Sequence, residues 1–263
     1  MPVSNADDPK ILTLENGASI AYHRTLGAAP GVVFLSGFMS DMSGGKAVAL
    51  EAFCRARGQA FLRFDYQGHG ASSGAFADSH IGVWREDAIA ALDNLTEGPQ
   101  ILIGSSMGGW IMLLTALARP ERVAALIGIA AAPDFTEDLL TGDLSPAQRA
   151  EIENQGRTLI PSEYEDDHII TTELLVEGKK LLLLRDEIAL DCPVRLIHGL
   201  ADDSVPFETA LRLQARLRGG DVEVTLVKDG DHRLSEPDDL DRLTRTLGSL
   251  LDQGRNSSSR TEA

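Results

Sequence analysis

The chain is short of the features that define several large functional classes. Among its 263 residues are two cysteines, Cys54 and Cys192. One falls on a predicted helix and the other ahead of a predicted strand. Two such thiols build no disulfide framework, and neither sits in a motif that would make it a nucleophile. No apolar run approaches the roughly 20 residues that cross a bilayer, which excludes an integral membrane protein. Cations are scarce: 24 Lys and Arg face 40 Asp and Glu, for a net charge of −16. With no basic stripe to offset that charge, phosphate backbones are repelled and a nucleic-acid partner is not expected. The opening Met1-Pro2-Val3-Ser4-Asn5-Ala6-Asp7-Asp8 has neither the basic segment nor the apolar core of a leader, so the expected compartment is the cytoplasm. Histidine, cysteine and carboxylate residues show no zinc-type spacing, and neither metal nor cofactor is expected.

What is present reads as one α/β domain over residues 1–254. Lys10 to Leu14 and Ser19 to His23 flank an Asn16-Gly17 turn and predict a hairpin. Apolar strands at Gly31 to Leu35, Ala60 to Tyr66, Gln100 to Gly104, Ala124 to Ile129, Val194 to His198 and Val222 to Val227 then alternate with helical patterns at 46–57, 81–95, 107–118, 208–217 and 238–251. That alternation predicts a mostly parallel, twisted sheet of about eight strands flanked by helices. It lapses after Pro133, and Asp134 to Lys180 reads as a small cap insertion at one edge of the sheet. The insertion holds twelve acidic and four basic residues, hence half of the net charge. Residues 255–263 lack apolar side chains and are expected to be disordered.

The chemistry-bearing motif is Gly104-Ser105-Ser106-Met107-Gly108, lying directly between a predicted strand and a predicted helix. A serine on such a turn needs small neighbours two positions away, and Ser106 is the candidate nucleophile. A serine hydroxyl also needs a base and a carboxylate that orients the base. Loops at the carboxyl ends of later strands supply both, in the chain order Ser, Asp, His: Asp202 or Asp203 after one strand, His232 after the next. His232, past the last core strand and before the final helix, is the candidate base. The Met107 amide opens a helix and is one candidate oxyanion donor.

That order, together with His198-Gly199-Leu200-Ala201-Asp202-Asp203-Ser204-Val205-Pro206, resembles the α/β-hydrolase superfamily. The resemblance implies the α/β-hydrolase fold, selects Asp202 over Asp203 as the acid and assigns the second oxyanion amide to Phe38. It makes His198 a packing residue at a strand end and His69 part of a glycine-rich pocket wall. Gly37-Phe38-Met39-Ser40-Asp41-Met42-Ser43-Gly44, Arg63-Phe64-Asp65-Tyr66, Gly98-Pro99-Gln100-Ile101-Leu102, Ser105-Ser106-Met107-Gly108-Gly109-Trp110 and Asp231-His232-Arg233 are similar to a narrower branch, the palmitoyl-protein thioesterases and acyl-glucuronide esterases of abhydrolase domain-containing protein ten.

The expected function is therefore hydrolysis of acyl esters or thioesters through Ser106, His232 and Asp202, with a small-molecule or S-acylated substrate as partner. A generic carboxylesterase or perhydrolase fits the same residues, and a binding protein on the same fold is the alternative of another class. Phe38, Met39, Trp110 and the insertion are candidates for the pocket, with Trp110 also read as core. Arg157, Lys179, Lys180 and Arg233 are the cations available to a substrate carboxylate.

Overall fold

The structure, a computed structural model, describes residues 8–161 and 167–261. Residues 1–7 of the opening segment, and Glu163, Glu165 and Asp166 of the acidic insertion, lie outside them. Among the described residues ten strands form: β1 Lys10–Thr13, β2 Ser19–Thr25, β3 Ala28–Leu35, β4 Gln59–Phe64, β5 Gln100–Ser105, β6 Val123–Ile129, β7 Arg157–Ile160, β8 His168–Thr171, β9 Val194–Gly199 and β10 Val222–Val227. Eight of them make one sheet in the order β1-β2-β4-β3-β5-β6-β9-β10, and β7 pairs with β8 as a separate ribbon. Across the sheet from β4 to β10 every pairing is parallel, while β2 pairs antiparallel with both β1 and β4. This is the mostly parallel sheet expected from the alternation, in the α/β-hydrolase arrangement that the resemblance implies.

The helices are α1 Gly45–Ala56, α2 Ile81–Leu95, α3 Met107–Ala118, α4 Phe135–Asp138, α5 Pro146–Gln155, α6 Thr172–Lys179, α7 Glu208–Arg216 and α8 Pro237–Thr261. Side chains alternate across the central strands because the strand period is two. Val33, Leu35 and Leu102 join one core with Trp84 of α2 and Trp110 of α3, while Val32, Phe34, Ile101 and Ile103 join a second with α1 and α8. Cys54 is fully buried in that second core, and burial pushes its thiol up to about 12, which removes it as a nucleophile.

One expectation needs correction. The insertion does not leave at the sheet edge. It joins β6 to β9, which pair directly with each other inside the sheet, and it folds as α4, α5, the β7–β8 ribbon and α6. Its base is tied: the Asp134 carboxylate accepts hydrogen bonds from the Leu183 and Leu184 amides, each at 2.8 Å. Helix α8 runs from Pro237 through Thr261, past Gly254, and residues 262–263 of the tail lie outside the described residues.

On α2, Asp87 is fully buried and accepts from the Gln67 backbone amide and the Gln67 side-chain amide, both at 2.7 Å. Burial outweighs those bonds and lifts its carboxyl from 3.8 to about 6. Over that window the folded state holds a proton that the unfolded chain has released, so this group's contribution to stability falls as pH rises from about 4 to about 6. In urea unfolding, the stability of wild type relative to Asp87→Asn is expected to fall by up to about 3 kcal/mol across that range. A pH-independent difference would show that Asp87 titrates normally.

Candidate active site

Ser106 stands between β5 and α3 with φ 53° and ψ −122°, in the left-handed half of backbone space that a non-glycine residue occupies only under constraint. The flanking glycines supply the constraint. A methyl group on Gly104 would lie 2.3 Å from Gly108 O, and one on Gly108 would lie 2.1 Å from Leu35 O and 2.5 Å from Ser36 O. Strand, turn and helix are thus in backbone contact with one another and with the end of β3. The turn is further fixed by Ser106 N donating to Ile129 O at 2.9 Å and Ala132 N donating to Ser106 O at 3.1 Å.

The other two side chains arrive on loops after β9 and β10. A methyl on Gly199 would lie 2.1 Å from Gly230 O, so these loops also meet backbone to backbone. Leu200 N donates to Val227 O at 2.8 Å and Ala201 N to Gly230 O at 3.0 Å. The result is a continuous chain: Ser106 Oγ lies 3.0 Å from His232 Nε2, and His232 Nδ1 lies 2.8 Å from Asp202 Oδ2. Because a carboxylate only accepts, Nδ1 carries the hydrogen and Nε2 presents its lone pair to the serine. The His232 side chain is 25% exposed and that of Asp202 is fully buried.

Asp202 collects further donors. Its Oδ1 accepts from Ser204 N at 2.9 Å and Val205 N at 2.8 Å. Burial pushes this carboxyl up, but hydrogen bonds from His198 and His232, followed by the His232 charge and the Val205 amide, outweigh it and hold the group well below the ordinary carboxylate range. The neighbouring Asp203 is exposed and accepts from Ser204 Oγ at 3.2 Å. His198 is not simply a packing residue. Fully buried, it places Nε2 3.1 Å from Asp202 Oδ2, an interaction that the spacing of four residues permits once the turn closes.

The loop after β3 lies over the serine, since a methyl on Gly37 would be 3.5 Å from Ser106 Cβ. Two groups missed by sequence reasoning clamp this loop at Met42: Asp65 Oδ1 accepts from Met42 N at 2.7 Å, and Arg63 Nη1 donates to Met42 O at 2.9 Å. Asp65 Oδ2 also accepts from Ala71 N at 2.8 Å, which ties in the glycine-rich loop. The available signal was the quoted Arg63-Phe64-Asp65-Tyr66, a charged pair at a strand end. Phe38 packs edge-on against Phe76, Trp84, Phe135 and His168, with ring centres 4.8 to 6.0 Å away. Trp110 is fully buried, as the core reading expects, and its Nε1 donates to Leu181 O at 3.1 Å. Of the cations named for a substrate carboxylate, Arg233 adjoins His232, whereas Arg157 opens β7, Lys179 ends α6 and Lys180 follows it. Among the described residues, no group of histidine, cysteine and carboxylate side chains is arranged to hold a metal ion.

With this geometry in hand, comparison with known proteins is specific. Mouse palmitoyl-protein thioesterase ABHD10, mitochondrial, is 44% identical over 239 residues, covering 89% of this chain and 80% of the mouse protein. The human protein of the same name is 41% identical over 89% of this chain and 77% of its own length. The chain belongs to the ABHD10 family of α/β-hydrolases. The broader family described as serine aminopeptidase S33 matches residues 29–172. The mouse ABHD10 structure superposes with a TM-score of 0.87 at 43% identity, covering 93% of this chain and 98% of that one. A hydrolase from Agrobacterium vitis S4 gives 0.88 at 38% identity, with coverage of 92% and 98%. The ABHD10 relatives are named as mitochondrial, whereas the sequence reading expects cytoplasm. Among the described residues, no helix is long and apolar enough to cross a membrane.

In this ABHD10-family chain the contact of Gly108 with Leu35 O leaves no room for a side chain. Gly108→Ala is expected to cost about 3 kcal/mol through overpacking against backbone, lowering the thermal midpoint by on the order of 5–10 °C. An unchanged midpoint would show that the turn tolerates a wider separation from β3.

Proposed function

We propose that the protein is a serine hydrolase that cleaves acyl thioesters and oxygen esters, with S-acylated proteins as its leading substrate class. The observation that carries this reading is the hydrogen-bonded chain Ser106, His232, Asp202 at the Gly-x-Ser-x-Gly turn. The thioester preference rests on relatives at 41% and 44% identity that are named palmitoyl-protein thioesterases.

In this mechanism Ser106 Oγ attacks the acyl carbonyl carbon while its proton passes to His232 Nε2. The carbonyl oxygen becomes an oxyanion that accepts from the Phe38 and Met107 amides. Met107 is the first residue of α3, where the backbone N–H has no partner within the helix and the helix dipole favours negative charge. Asp202 remains ionised and stabilises the imidazolium. The tetrahedral species collapses, the carbon–sulfur or carbon–oxygen bond breaks, and His232 delivers its proton to the leaving thiol or alcohol. Water then attacks the acyl-serine, giving up a proton to His232; the bond to Ser106 Oγ breaks, His232 returns the proton to that oxygen, and the carboxylic acid leaves.

A fluorophosphonate probe is expected to label wild type and not Ser106→Ala, with turnover reduced by about 10⁴-fold or more in the variant. Equal labelling of both would remove Ser106 as nucleophile. An S-palmitoyl peptide, acyl-CoA and p-nitrophenyl esters assayed side by side separate the readings. Turnover of the oxygen esters alone would make the protein a carboxylesterase, and no turnover or labelling would make it a binding protein. The rate on a substrate that does not itself titrate is expected to fall as pH drops, because protonated His232 cannot take the serine proton. A flat acid limb would exclude His232 as base.

A further inference from the structure

We propose that His198 is a positioning residue that shares the Asp202 carboxylate with His232 and thereby weakens the hold of that carboxylate on the protonated base. The inference rests on the reading of Ser106, His232 and Asp202 as the reacting set, and it concerns a histidine that this set does not require.

The two neighbours of His198 Nε2 are the Asp202 Oδ2 atom at 3.1 Å and the Val205 carbonyl oxygen at 2.9 Å. Both are acceptors, so Nε2 carries the hydrogen and Nδ1 is the bare nitrogen. That Nδ1 is buried without a hydrogen-bond partner among the described residues, which disfavours the second tautomer, in which Nε2 would present a lone pair to two acceptors. The single His198 Nε2–H is hydrogen-bonded to the Val205 carbonyl and is shared with Asp202 Oδ2 as a second, longer acceptor at 3.1 Å, so Oδ2 faces His198 as well as accepting from His232 at 2.8 Å, while Oδ1 accepts two backbone amides. A donor added to an ionised carboxylate withdraws its charge from the other donors. His198 thus lowers what His232 gains from Asp202 when it becomes an imidazolium, so that more of the base stays neutral and able to accept a proton on the acid side.

Other charged groups stand near this cluster. Asp203 lies on the same loop as Asp202, while Lys228, Asp229, Asp231 and Arg233 lie on the loop of His232. Lys46 of α1 donates to Arg233 O. Asp203, Asp231 and Arg233 are exposed, where water screens them, whereas the side chains of His198 and Asp202 are fully buried.

The test measures kcat/KM against pH for wild type, His198→Phe and His198→Gln on an ester that does not titrate. His198→Phe is expected to move the acid limb upward by about 0.5–1 pH unit, a loss of about 3- to 10-fold in rate below the limb. His198→Gln, which can place an amide N–H near the Nε2 position, is expected to return the limb toward wild type. An unmoved limb with a lower plateau would mean that His198 only supports the loop, and a limb moved downward would reverse the proposed sign. Either result overturns the inference. Nitrogen-15 NMR of the wild-type rings is a check that requires no variant to fold: His198 is expected in the Nε2–H form, and an Nδ1–H ring would overturn the proposal. Loss of fluorophosphonate labelling in Ser106→Ala is scored separately, so failure of the hydrolase reading is distinguishable from failure of this one.

Discussion

Backbone-to-backbone contact at the carboxyl end of the sheet is the constraint on which the rest depends. Parallel strands deliver their following loops to one edge, but delivery alone leaves side chains too far apart to share protons. The gap closes because glycine stands wherever two loops must touch: Gly108 against Leu35 O, Gly104 against Gly108 O, and Gly199 against Gly230 O. The first two contacts force the turn that gives Ser106 its positive φ. The third brings the loops after β9 and β10 together so that Asp202 reaches His232. A distance of 3.0 Å between Ser106 Oγ and His232 Nε2 is the sum of these approaches.

The same edge carries several buried carboxylates, and their environments separate their roles. Asp87 answers to one residue, Gln67, and burial wins, so its carboxyl rises to about 6. Asp134 accepts two amides at the base of the insertion and Asp65 accepts two from neighbouring loops, and both are still shifted upward by burial. Asp202 is shifted the other way because imidazole donors join its amide donors. Donor number and charge, more than depth, decide which carboxylate stays firmly ionised beside a base. Asp65, Asp87 and Asp134 act as fasteners that hold backbone in place.

The sheet, the serine turn and the order of acid and base were legible because each has strong local patterning. Apolar strands such as Ile101 to Ile103 run between turn residues, and glycines frame Ser106. The insertion was not legible. Helix α4 has four residues, β7 and β8 have four each, and α5 buries none of its side chains, so no stretch is long enough or two-faced enough to show a period. One local signal was available there, the capping box from Ser145 to Gln148 at the start of α5. His198 reads as packing because it ends a buried strand, and it is fully buried there; its approach to Asp202 arises only when the turn between them is closed.

Phe38 links the insertion to the chemistry. Its amide is the proposed second oxyanion donor, while its ring is held by Phe76 and Trp84 below and by Phe135 and His168 from the insertion. Phe135 in turn lies 5.7 Å from Trp110 of α3, the helix whose first residue is Met107. The two proposed donors are therefore connected through one aromatic cluster that includes the insertion. On the opposite side of the same loop, Arg63 and Asp65 fix Met42 at both its carbonyl and its amide. A loop tied by polar contacts at Met42 and by ring packing at Phe38 is restrained at two points, which favours the preorganisation that oxyanion stabilisation requires. On the proposed reading, the insertion bears on the rate through its ring contacts with the residue whose amide receives the oxyanion.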